Sequence, residues 1–251
     1  MNAKLSRILL FYAIAIVLSY FFRINPPSWY TDLKFRGGFT IFKYMAEGLG
    51  PAVGALVVIF LFKPKRDITF FGTSKVRSIG MALLPLVLFT AVGMPNKLGL
   101  NAHYYGFIVG AMSIAYVILE ELGWRGYLLD ELKTAALTPF TRALIIGFMW
   151  YLWHLNFSFT SETISEHLIF LGVLIFASWG FEKITDTTKS VLSVACFHLL
   201  GSIMSYNALL QGGFSGNQRW IVFSICLVIW VYTVSTWGKA MPALEKKSKI
   251  Q

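Results

Sequence analysis

Charge is scarce in this chain of 251 residues: 14% are Asp, Glu, Lys or Arg, against about 25% in soluble globular domains. Cysteine is nearly missing. Cys196 and Cys226 lie in separate apolar runs, which rules out a disulfide framework and points to buried thiols. There is no low-complexity stretch, no internal repeat and no polar segment long enough for a water-soluble domain. A GxSxG nucleophile elbow is absent, and so is an HExxH pair, so neither a serine hydrolase nor an ordinary zincin is written here. The net charge is +10, but no nucleic-acid-binding motif accompanies it, and nucleic acid is excluded as a partner.

What is abundant is apolar surface. Hydrophobic residues make up 56% of the chain, more than a water-facing fold can hide. Eight apolar segments stand out, near 8–22, 45–62, 81–95, 104–122, 142–157, 167–181, 191–206 and 220–237. Several fall short of the roughly 20 residues a span needs and must borrow from their flanks. The third is the weakest, interrupted by Pro85 and closed by "GMPNKLG". Lys4 and Arg7 precede the first, yet "SYFFRINPP" offers no small-residue cleavage site, so an uncleaved span is expected rather than a signal peptide. The predicted fold class is all-α, a polytopic membrane helix bundle of about eight transmembrane helices.

The basic residues lie between the apolar segments. If the N-terminus is cytoplasmic, sixteen Lys and Arg fall on the cytoplasmic side and six on the other. That bias predicts both termini in the cytoplasm, most simply at the cell membrane.

Within the apolar stretch "VILEELGWRGYLL" stand Glu120 and Glu121, followed by Arg125. Residues four apart share a helical face, and neighbours point about 100° apart. Glu121 therefore pairs with Arg125, whereas Glu120 has no counter-ion on its own helix and is expected to face a polar interior. Of four histidines, His103 and His167 fall at outer loop edges. His154, in "GFMWYLWHLNF", and His198, in "VACFHLLGS", lie inside apolar spans. An ionisable residue inside the membrane is a functional candidate by default. One carboxylate and two imidazoles allow two chemistries. Glu120 could deprotonate a water that one His orients while the other polarises a carbonyl. Alternatively, Glu120, His154 and His198 could ligate zinc and leave a position open for water. Counted from the apparent helix ends, Glu120 sits about 6 Å from the inner boundary and His154 about 18 Å into its helix. Bringing them together demands a lower start for the fifth helix or a tilt of the fourth.

These residues resemble the CAAX protease and bacteriocin-processing (CPBP, or Abi) family of intramembrane endopeptidases, which includes the Rce1-type CAAX prenyl endopeptidases. "EELGWRG" resembles the family's EExxxR signature. "WYLWH" resembles its aromatic-xxx-His motif, with Trp150 where Phe is common. "FHLLGS" resembles its His-xxx-Asn/Asp motif, preceded by "EKITDTTKSVL", and "GLGPAVGAL" at 48–56 resembles its early Pro-containing span. The resemblance runs over about 45–205. It implies that Glu120 activates water with His154, that Glu121 and Arg125 form a structural ion pair, and that His198 is an oxyanion donor. Ser202 stands where the family has Asn or Asp; it shares a face with His198, and its hydroxyl can donate there. Asn207 lies nine residues beyond His198, on the opposite face.

The expected organisation is an N-terminal span and loop over 1–44, a protease core over 45–206, and a last span with a basic tail over 207–251. The expected partners are the lipid bilayer and a peptide or protein substrate, prenylated or leader-like. The expected cofactor is zinc, with a metal-free glutamate mechanism as the alternative. Two other readings stand beside the protease: a bacteriocin-immunity or adaptor protein of the same family, and a small proton-coupled transporter.

Overall fold

The computed structural model describes residues 3–24, 28, 41–155, 163–209 and 213–239. They form an all-α bundle. Helix α1 covers Ala3–Ile24, α2 Ile41–Phe62, α3 Lys75–Val92 and α4 Ala102–Lys133; α5 covers Pro139–Leu155, α6 Ile164–Thr188, α7 Val191–Leu209 and α8 Gly216–Ser235. Each corresponds to one of the eight apolar segments; α4 runs on past its segment through polar residues, whereas α3, α5 and α8 end before theirs do. Among the described residues, α1, α3, α4, α6 and α8 are long and apolar enough to cross a membrane, and α2 and α7 hold shorter apolar stretches. This is a membrane protein.

Helix packing follows from small residues. A Cβ on Gly50 would fall 2.4 Å from Ala15 O and 2.2 Å from Ser19 Oγ, so a bare glycine lets α2 lie directly on α1. Pro51, inside α2, meets Gly123 of α4 in the same way: a Cβ there would fall 2.5 Å from Pro51 Cβ. Helix α4 is the central element, packed by α2, α3 and α7. Pro85 does not break α3; the helix runs through it and ends at Gly93, whose φ is +72°.

Two apolar cores result. One joins α3, α4, α7 and α8 through residues such as Phe89, Val109, Ile203 and Trp230. The other joins α1, α2, α5 and the lower part of α4 through Phe11, Val58, Trp124 and Trp153. Glu120 and Glu121 lie in α4 between Val117 of the first core and Trp124 of the second.

Helix α4 is not uniform. Trp124–Leu129 is a π-helical turn between α-helical Ala102–Gly123 and Asp130–Lys133. All six of its residues are buried, so the turn is enclosed on every side, by α2, α5, α6 and α7. Below it, polar side chains tie the bundle together. Glu131 pairs with Arg7 of α1, Lys133 with Asp186 of α6, and Arg142 of α5 with Glu182 of α6. Asp130 accepts from the backbone N–H groups of Asp67 and Ile68 at 3.0 and 3.3 Å. The 63–74 loop is also pinned to the α6–α7 connection by a parallel bridge between Thr69 and Ser190. There Lys189 donates to Asp67 at 2.7 Å and holds that carboxyl below its usual range.

Candidate active site

The expected site residues lie on three helices: Glu120, Glu121 and Arg125 on α4, His154 on α5, and His198 and Ser202 on α7. The fourth helix does not end near Glu120. It continues for thirteen residues to Lys133, which lifts Glu120 about 20 Å above its lower end. His154 is fifteen residues from the start of α5 at Pro139, about 22 Å up. The two are therefore level. The mismatch in depth came from ending α4 where its apolar run stops.

What joins them is Trp150, one turn before His154 on α5. Its Nε1–H donates to Glu120 Oε2 at 3.1 Å. Its carbonyl oxygen meets His154 Nδ1 at 2.8 Å. The edge of its ring packs against His198, with centroids 5.0 Å apart, and Arg125 Cζ lies 4.4 Å from its ring centroid. One indole thus touches the carboxylate, both imidazoles and the guanidinium. Glu120 and Trp150 are both buried, and His154 is half-buried.

Glu121 does more than pair with Arg125. Its Oε1 accepts from Arg125 Nη1 at 2.8 Å and stands 2.8 Å from His198 Nδ1. A carboxylate only accepts, so the proton of that second bond lies on Nδ1, and Nε2 is the nitrogen left for other partners. Arg125 is fully buried. It also donates to Ser178 Oγ at 3.2 Å and stacks near Phe181, both on α6. A buried guanidinium held by one carboxylate, one hydroxyl and two aromatic faces is a rigid floor under the histidine.

Ser202 is half-buried one turn beyond His198 on α7, as the spacing requires. The side chain of Asn207 lies outside the described residues. The outer histidines are not simply solvated: His103 Nδ1 meets Thr90 O at 2.8 Å and His167 Nδ1 meets Tyr151 Oη at 3.1 Å. Among the described residues, no group of three His, Cys, Asp or Glu side chains is placed to hold a metal ion.

Two participants lie outside the motifs, and a third has a role that its motif does not spell out. Trp150 is the aromatic of the aromatic-xxx-His motif, but nothing in the spacing says that its indole N–H reaches Glu120. Ser178 and Phe181 sit on α6, which carries no motif. A trace exists only for Ser178, a hydroxyl within "FASWG" one turn before Glu182.

The comparison with known families bears on the same residues. The model of the type II CAAX prenyl endopeptidase Rce1-like family matches residues 101–204, the segment that holds all six expected site residues. Over that segment the chain is similar to the Rce1-like family. It is also similar to CAAX prenyl protease 2 of Methanococcus maripaludis, 32% identical over 94 residues. That match covers 32% of this chain and 33% of the relative, so it spans about a third of the curated protein's length.

Proposed function

We propose that the protein is an intramembrane endopeptidase that hydrolyses a peptide bond of a prenylated, CAAX-type substrate. The observation that carries this reading is the convergence of Glu120, His154 and His198 on Trp150, inside the segment that matches the Rce1-like family. The protease core is taken as 45–206, in the cell membrane with both termini cytoplasmic.

In this reading Glu120 takes a proton from a water oriented by His154, and the water oxygen adds to the scissile carbonyl carbon. The carbonyl π electrons move to oxygen. His198 and the Ser202 hydroxyl donate to the oxyanion that forms. Donation from Nε2 while Nδ1–H is committed to Glu121 requires the doubly protonated ring, for which Glu121 is the adjacent counter-charge. Collapse of the intermediate breaks the C–N bond, and the leaving amine receives the proton held by Glu120. The apolar, lipid-facing exteriors of α3, α6 and α8 suit a substrate carried in the bilayer by its prenyl group.

The test is cleavage of a farnesylated CAAX peptide by the purified full chain, with Glu120→Gln as control. Hydrolysis by the wild type and none by Glu120→Gln is the expected result. Equal hydrolysis by both removes Glu120 from the mechanism.

A further inference from the structure

We propose that Trp150 is a positioning residue for the water-activating carboxylate: its indole N–H holds Glu120 by Oε2 and so fixes the direction in which Oε1 faces the water. The proposal rests on the hydrolytic reading above and adds a residue to it.

Four aromatic and charged groups hold the ring in place. Trp124 and Phe181 each lie 6.4 Å from it, His198 5.0 Å, and the Arg125 guanidinium 4.4 Å. With the ring clamped, the N–H vector is fixed, and a carboxylate bound to it loses its freedom to rotate. An indole nitrogen donates and never accepts, so it competes for one carboxylate oxygen and cannot take the proton itself. The proton removed from water therefore goes to Oε1, the oxygen that the indole does not hold.

A buried indole does need an acceptor in general, but burial in this aromatic cluster does not by itself put an N–H on a carboxylate. Trp124, in contact with the same ring, is fully buried, and among the described residues its Nε1 has no hydrogen-bond partner. Trp153 gives its N–H to Ser19 Oγ. Among these three neighbouring indoles, only Trp150 donates to a carboxylate of the site. The same residue orients His154 through its carbonyl oxygen, so a single side chain and its backbone couple two members of the water-activating group.

The experiment compares the wild-type protein with Trp150→Phe and with a protein carrying benzothienylalanine at position 150, in which sulfur replaces the N–H and the ring shape is kept. Turnover of the farnesylated peptide is read as kcat and KM separately. Loss of one hydrogen bond to a charged group should lower kcat by about 10- to 100-fold, with KM nearly unchanged. Wild-type kcat in the benzothienylalanine protein would overturn the proposal, even if Trp150→Phe lost activity through packing. A second readout is independent of turnover: the indole ¹⁵N–¹H resonance assigned to Trp150 by its loss in Trp150→Phe. It should shift in Glu120→Ala, and an unmoved resonance would overturn the contact. A wild-type protein that cleaves nothing, or a Glu120→Gln protein that cleaves at full rate, would instead overturn the hydrolytic reading, and each is seen without any Trp150 variant.

Discussion

Replacing Glu121 by Gln separates the two adjacent carboxylates more sharply than any other change. Glu121 Oε1 is the shared acceptor for Arg125 and His198, each at 2.8 Å. The substitution removes a negative charge beneath a guanidinium that is fully buried. Stranding one partner of a buried ion pair costs about 3–5 kcal/mol. The Trp150 and Phe181 faces, at 4.4 and 4.7 Å, offset part of this, each aromatic contact contributing about 0.5–2 kcal/mol. The Gln carbonyl still accepts a hydrogen bond, so a net destabilisation of about 2–4 kcal/mol is expected. Glu120→Gln is different. Among the described residues its carboxylate has one hydrogen bond to a side chain, from Trp150, and the amide oxygen can keep it, so the cost should stay below about 1 kcal/mol. Chemical unfolding in detergent micelles, followed by far-UV circular dichroism, measures both, and peptide cleavage is read on the same preparations. Glu120→Gln should be stable and inactive. Glu121→Gln should be unstable, and its folded fraction should have reduced turnover because His198 has lost its anchor. Equal stability of the two variants would refute the assignment of Glu121 as the shared counter-ion.

Three further outcomes are expected. Ser202→Ala should lower kcat by up to roughly 100-fold, the scale of a single oxyanion donor, and unchanged turnover in a folded protein removes Ser202 from the mechanism. Gly123→Ala should destabilise by about 1–3 kcal/mol through overpacking, because the new Cβ meets Pro51 Cβ at 2.5 Å and Pro51 O at 2.8 Å; wild-type stability would show that α2 and α4 separate without cost. Single cysteines at Lys65 and Lys97, both exposed, should be labelled by an impermeant reagent in intact cells only at Lys97, with the native Cys196 and Cys226 silent because they are buried. Labelling at Lys65 would reverse the proposed topology.

The sequence by itself determined the class, the order of the helices and the EExxxR pairing. Apolar runs must become helices in lipid because no other local structure satisfies its own backbone there, and the i,i+4 rule needs no neighbour to act. Those terms are local, so they can be read along one strand of text. Helix ends were less legible: α4 passes Glu120 by thirteen residues because Asp130, Glu131 and Lys133 are neutralised by Arg7, Asp186 and the backbone of the 63–74 loop. All of these partners are distant in sequence, and hydropathy registers only the charges. The π-turn at Trp124–Leu129 is likewise a product of enclosure by four other helices. At the site, spacing along the chain placed each motif residue on a helix face, but which faces meet was decided by close approaches such as Gly123 against Pro51. That packing sets Trp150 against Glu120, and it gives His198 to Glu121 rather than to the neighbouring carboxylate. Adjacent glutamates differ by about 100° of helix rotation, and only the position of α5 and α7 around α4 turns that angle into two different partners.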